Sequence, residues 1–245
     1  MPAVKDRNPA VISSAMLLAA GLGTRMRPLT DTQPKPMIPV GGRPMIDTLL
    51  DKLDEAGVSR VVVNMHYLAD RLEQHLSDRK KPAIIVSDER GGLLDSGGGV
   101  LKALPHLDET FMVLNADTVW LDGPRSNLRR LIEAWRPEKM DVLLLLAATT
   151  TAIGWGNRGD FAMEQDGRLR RPRMKEITPF AYAGVGIWKK SLFADMPPVF
   201  SLNRLFDAAI ERESLYGLRL DGTWMHVGTP EAVEEANAAI AEHVL

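Results

Sequence analysis

Short apolar runs alternate with stretches of helical period along most of this chain. The first run is AMLLAA at 15–20, followed by RVVVN at 60–64, a third at 83–86, FMVLN at 111–115 and a fully apolar run at 142–147. Such runs are too short for helices and read as strands, buried on both faces. Between them the spacing predicts helices over 45–56, 67–76, 99–104 and 128–135. The first has Leu49, Leu50 and Leu53 on one side and Gly57 just past its end, and the third stops at Pro105. Strand–helix alternation over about 130 residues predicts βαβ units and a mostly parallel, Rossmann-like sheet flanked by helices, an α/β fold.

Past Thr151 the pattern changes. Residues 154–173 are rich in Gly and Arg, with a hairpin expected around Gln165-Asp166-Gly167. A strand is expected at 182–188, a helix at 201–211 with Ser201 as N-cap, and a closing helix over 230–243 with proline in its first turn. Strands at 215–220 and 223–227 flank Asp221-Gly222, a strong hairpin signal. Residues 1–13 are polar, lack periodicity and read as a flexible leader. The remainder, 14–245, reads as one domain with its C-terminal half laid over the sheet.

The chain has 245 residues, 45% apolar and 25% charged, an ordinary globular composition. Lys plus Arg is 30 against 32 acidic residues, so it carries no electrostatic footprint of a nucleic-acid binder, although a local basic patch is compatible with that balance. The absence of cysteine excludes disulfides, thiolate zinc sites, iron–sulfur clusters and a cysteine nucleophile. No apolar stretch reaches the roughly 18 residues of a membrane helix, and no signal peptide is visible. A cytoplasmic protein that binds no membrane is the expectation.

Ligands of open parallel sheets bind beyond the carboxyl ends of the strands. The loop there after the first strand reads Ala20-Gly21-Leu22-Gly23-Thr24-Arg25-Met26, with Lys35 following between two prolines. The glycines let backbone amides approach an anion, and Arg25 and Lys35 add cationic donors. Neither familiar phosphate signature fits: no Gly-Lys follows for a Walker loop, and Met26 occupies the third glycine of a dinucleotide fingerprint. On spacing alone, a tight strand-to-helix turn with solvated arginines fits equally well. Asp117 follows FMVLN after a single alanine, at the same sheet edge, where a carboxylate suits Mg²⁺ or caps a turn.

The longer string LAAGLGTRMRPLT-x₃-PKPM resembles the signature of sugar-1-phosphate nucleotidyltransferases. The likeness continues at Gly41-Gly42-Arg43-Pro44, Gly97-Gly98-Gly99, Asn115-Ala116-Asp117 and Trp224-Met225-His226-Val227-Gly228-Thr229-Pro230, covering about residues 15–240. The text around Asp95–Leu104 and at Gly159-Asp160-Phe161 is most similar to single-domain N-acetylmuramate 1-phosphate uridylyltransferases. The resemblance implies a nucleotide-diphospho-sugar transferase fold, with a nucleotide-binding half at about 14–150 and a sugar-binding half at about 151–245. No β-helix repeat follows, so no fused acyltransferase is expected.

The implied reaction joins a nucleoside triphosphate, UTP first, to a sugar 1-phosphate, N-acetylmuramate or N-acetylglucosamine 1-phosphate, and releases pyrophosphate. A guanylyltransferase for mannose 1-phosphate or a thymidylyltransferase for glucose 1-phosphate is the alternative. By resemblance, Ala20, Gly21, Gly23 and Thr24 hold the triphosphate, Arg25 and Lys35 are catalytic, and Gly98 and Asn115 bind nucleotide. Asn157, Asp160 and Gly184 contact sugar, and Asp117 holds Mg²⁺. His226 stands where the family has a second metal carboxylate. It ligates metal weakly or through water, or it donates to phosphate or sugar, or it marks an inactive nucleotide-sugar-binding regulator. Oligomeric state is left open.

Overall fold

The computed structural model describes residues 11–156 and 158–243. In chain order its elements are β1 (Ser14–Leu18), β2 (Pro39–Val40), β3 (Arg43–Pro44), α1 (Met45–Glu55), β4 (Arg60–Met65), α2 (Ala69–Leu76), β5 (Ala83–Asp88) and α3 (Asp95–Ala103). There follow β6 (Thr110–Asn115), β7 (Thr118–Asp122), α4 (Asn127–Ala134), β8 (Val142–Ala148), β9 (Ala162–Met163), β10 (Leu169–Arg170), β11 (Phe180–Lys189), α5 (Asn203–Glu211), β12 (Leu215–Arg219), β13 (Gly222–His226) and α6 (Pro230–His243).

A seven-stranded sheet in the order β12-β8-β11-β6-β1-β4-β5 forms the centre. β1 pairs in parallel with β4 and β6, β4 with β5, and β12 with β8, whereas β11 runs antiparallel between β6 and β8. The sheet is therefore mostly parallel, as the apolar runs predicted. Four of those runs are buried on both faces: Leu17, Val61, Val63, Met112 and Leu114 join one core cluster, and Met16, Val62, Val113 and Leu144 join the other; the run at 83–86, in the edge strand β5, is only partly buried. None of the helices among the described residues is long and apolar enough to cross a membrane.

Several expectations are corrected. The second half of the chain does not lie over the sheet; it supplies β11 and β12 to it. The Asp221-Gly222 turn joins no hairpin, because β12 pairs with β8 while β13 pairs with β7, a strand the sequence reading did not foresee. Gly222, at φ 115, gives the chain the bend that sends β13 away from the main sheet. The three glycines 97–99 lie inside α3 rather than ahead of it, and Leu68, at φ 49, delays α2 to Ala69. Of the expected leader, residues 1–10 lie outside the described residues, but Ile12 is buried and the Ser13 hydroxyl donates to Asp108 at 2.7 Å, so packing begins before Ser14. The hairpin at residue 167 does form, between β9 and β10, with Gly167 at φ 91. Leu202, not Ser201, stands at the N-cap of α5.

Candidate active site

The carboxyl ends of β1, β4 and β6 open into a cavity of about 530 Å³, a size that accommodates a nucleotide-sized ligand. Ala20, Gly21, Lys35, Asn115 and Asp117, all singled out from the sequence, line it together. The loop that leaves β1 is shaped by Gly23. This residue is left-handed (φ 62), and a Cβ there would come within 2.9 Å of Thr30 Cγ2 and 3.3 Å of Lys35 Cβ. The Thr30 hydroxyl donates to the Gly23 carbonyl at 2.8 Å, pinning the turn. Met26, in the position a dinucleotide fingerprint reserves for glycine, is fully buried. Thr24 and Arg25 are exposed on the following turn.

Lys35 is only 9% exposed, yet its Nζ reaches the cavity and donates to Asp117 Oδ2 at 2.6 Å. Asp117 sits in the tight connection between β6 and β7, where the amide of Ala116 continues the pairing with β1 by donating to the Leu18 carbonyl. The antiparallel pairing of β7 with β13 sets His226 opposite Thr118, one residue after Asp117. A Cβ on Gly228 would lie 2.9 Å from His226 Nε2 and 3.7 Å from Arg25 Nη1, so both side chains face that glycine. Trp155 meets the His226 ring edge-on at 5.2 Å, and Trp224 lies 5.7 Å away. Burial lowers the affinity of this imidazole for a proton. The carboxylate of Asp117 pulls the other way, but the nearby cations Lys35 and Arg25 side with burial, and the net effect is a pKa below the usual histidine value. Asp117, the cations Lys35 and Arg25 and a neutral imidazole are therefore close enough to act on one another, Asp117 and Lys35 from the lining of the cavity itself.

Other residues singled out from the sequence stand differently. Gly98 is not a lining residue of the cavity. Its amide donates to the Phe200 carbonyl at 3.1 Å, and a Cβ there would strike the Pro198 carbonyl, so the bare backbone admits the chain's own 196–202 segment rather than a base. Asp160 is committed on one oxygen, accepting from the Tyr182 amide at 2.8 Å. Gly184, at φ 75, brings β11 against Asn115 and Thr118. Asn157 lies outside the described residues. Asn64, Glu89, Asp95 and Ser96 line the cavity and were missed. The signal that found Asp117, a polar residue where an apolar strand ends, also marks Asn64 and Glu89.

The nucleotidyl transferase family model matches residues 14–243. An N-acetylmuramate alpha-1-phosphate uridylyltransferase of Caulobacter vibrioides is 43% identical over 93% of this chain and 97% of its own length. One from Neisseria meningitidis serogroup B is 32% identical over 91% and 96%. Among solved structures, UTP-bound UGPase from Acinetobacter baumannii superposes with a TM-score of 0.76 at 19% identity, covering 95% of this chain and 94% of that one. HddC from Yersinia pseudotuberculosis complexed with GMP-PN gives 0.73 at 21% identity, covering 94% and 100%. These two likenesses bear on the fold alone.

Proposed function

This chain belongs to the nucleotidyl transferase family, whose members move a nucleotide onto a sugar 1-phosphate, and we propose that its own reaction is uridylyl transfer from UTP to N-acetylmuramate 1-phosphate. The observation that carries this reading is the meeting of Lys35 and Asp117, 2.6 Å apart, in a cavity that Ala20 and Gly21 of the glycine loop also line. The identity to two N-acetylmuramate alpha-1-phosphate uridylyltransferases over nearly their whole length supports the choice of sugar and base.

In this reading the amides from Ala20 to Thr24 hold the triphosphate. Arg25, which has no ion-pair partner among the described residues, neutralises the leaving pyrophosphate. Lys35 bridges the α-phosphate and the incoming sugar phosphate. A phosphate oxygen of the sugar attacks the α-phosphorus, the bond to the β-phosphate oxygen breaks, and pyrophosphate leaves. The nucleophile is already ionised at neutral pH, so no general base is needed; positioning and charge neutralisation do the work. Asp160 and Gly184 border the sugar, and Gly98 acts on the base only through the segment packed against it.

The donor set fits Mg²⁺. This ion takes one or two protein carboxylates and completes its shell with phosphates and water, and Asp117 Oδ1 has no hydrogen-bond partner among the described residues. Asp117 would hold it, and the ion would supply charge neutralisation on the triphosphate. A neutral His226, turned toward Gly228 beside Arg25, fits a donor to phosphate better than a replacement carboxylate.

The domain division, nucleotide at about 14–150 and sugar at about 151–245, and a cytoplasmic location accord with this reading. The test is pyrophosphate release from UTP, GTP, dTTP and CTP, each paired with N-acetylmuramate, N-acetylglucosamine, mannose and glucose 1-phosphates. The pair of UTP and N-acetylmuramate 1-phosphate should give the highest kcat/KM. Tight UTP binding with no turnover on any pair would replace the enzyme with a nucleotide-sugar-binding regulator.

A further inference from the structure

Where β1 ends, its two edges are continued by different means. On the β6 side the Leu18 carbonyl accepts from the Ala116 backbone amide. On the β4 side the Ala19 amide has no backbone acceptor among the described residues; it donates to the side-chain Oδ1 of Asn64, at 2.7 Å. Ala19 is the last residue before Ala20 and Gly21, so this bond fixes the direction in which the loop leaves the sheet.

Asn64 is held in turn. Its Nδ2 donates to Glu89 Oε1 at 2.8 Å. The two side chains are 3% and 2% exposed, and both line the cavity. Glu89 is itself anchored by backbone: its amide donates to the Met65 carbonyl at 2.8 Å, and its carbonyl lies 2.7 Å from His66 Nδ1. Gly99 of α3 makes room for the pair, since a Cβ there would come within 2.8 Å of Asn64 Nδ2 and 3.0 Å of Glu89 Oε1. No Lys, Arg or His among the described residues is within ion-pair distance of Glu89.

A buried carboxylate without a cation is costly, and an apolar residue of similar size would fill the space more cheaply. What the carboxylate supplies is polarity. It accepts and never donates, so Asn64 must turn its NH₂ toward Glu89 and its oxygen toward Ala19. The opposite orientation would set oxygen against carboxylate and NH₂ against an N–H. We propose that Asn64, oriented by Glu89, is a positioning residue for nucleotide binding: it holds the Ala19 amide and with it the path of the phosphate-gripping loop. The proposal rests on the nucleotidyltransferase reading above for its ligand, and deepens it by naming residues that act without touching the phosphates.

The test compares Asn64→Asp, Glu89→Gln and the double variant in the full chain. The readouts are the Kd for UTP with magnesium by titration calorimetry, the KM for each substrate, and Tm. Asn64→Asp sets two carboxylates face to face and should weaken UTP binding at least tenfold, with the sugar-phosphate KM within threefold of the parent. Adding Glu89→Gln restores a donor opposite an acceptor, now with reversed polarity, and should bring UTP affinity back to within threefold. Glu89→Gln alone should weaken UTP binding, but by less than Asn64→Asp, because its amide can rotate to accept yet no longer enforces the orientation of Asn64. UTP affinity unchanged in Asn64→Asp, a double variant no better than the single, or equal losses for both substrates tracking a fall in Tm would each overturn the proposal. Calorimetry needs no turnover. A parent protein that binds UTP but transfers nothing would therefore remove the enzymatic reading and leave the positioning role standing. A parent that binds no UTP would overturn both.

Discussion

Gly21 and Gly23 stand two residues apart in the same loop, yet the structure assigns opposite consequences to adding a methyl group at each. At Gly21 a Cβ meets nothing within 4 Å, and the backbone is not left-handed. The substitution Gly21→Ala restricts the unfolded chain without straining the folded one, a gain of about 0.4–1 kcal/mol. Tm should stay level or rise by a few degrees, at roughly 2–4 °C per kcal/mol for a domain of this size. If phosphate oxygens lie against the amides here, the methyl occupies their path. Loss of one charge-assisted bond, about 1.5–3 kcal/mol, then raises the Kd for UTP roughly 10- to 150-fold. At Gly23, φ 62 alone penalises an L-residue by about 1–2 kcal/mol. The clash with Thr30, which is buried and bonded to the Gly23 carbonyl, adds to that. Gly23→Ala should therefore lower both Tm and UTP affinity. The assay is UTP titration by calorimetry beside differential scanning calorimetry. Unchanged UTP affinity in a stable Gly21→Ala protein would refute the claim that this loop grips the triphosphate.

Lys35→Ala should lower kcat by about two to three orders of magnitude in steady-state pyrophosphate release, while circular dichroism stays native; near-normal turnover removes Lys35 from the mechanism. Lys52→Leu strips the cation from Asp122, a partly buried carboxylate that also accepts from Asn127 and Trp120, and should destabilise by up to about 3 kcal/mol in urea unfolding at pH 7. Burial pushes the Asp122 carboxyl up, but those hydrogen bonds outweigh it and hold it below the usual carboxylate range. Its stabilisation is therefore present above about pH 4 and lost as pH falls below that. The gap between parent and variant should then narrow at pH 3; a gap that is constant with pH contradicts the assignment. Gly98→Ala should act through the 196–202 segment, lowering Tm by an amount corresponding to about 1–3 kcal/mol of overpacking. A large loss of UTP affinity at unchanged Tm would instead return Gly98 to direct contact with the base.

Much of the sheet was legible because four of the apolar runs are strands buried on both faces, as strands of a helix-covered sheet are, and the edge strand β5, partly buried, kept the same apolar signature. The second half was harder to read. β11 enters the sheet antiparallel with a bulge at Gly184, and β13 pairs with β7 across more than a hundred residues, so neither partner is encoded locally. Asp221-Gly222 carries a genuine turn signal, but turn chemistry fixes a bend and not which strand pairs beyond it. At the site, Lys35 and Asp117 could be placed at one edge by strand topology. Gly98 could not, because what covers it, Pro198 and Phe200, lies a hundred residues downstream. Asn64 and Glu89 carry the same strand-end signal as Asp117, but the bond between them, which gives them their role, is not displayed by a sequence.

The most direct test of the account is a crystal structure of this chain with UTP. The account predicts the triphosphate against the amides of residues 20–24, with Lys35 Nζ within hydrogen-bond distance of an α-phosphate oxygen. A triphosphate bound elsewhere, with Lys35 still paired only to Asp117, would contradict it.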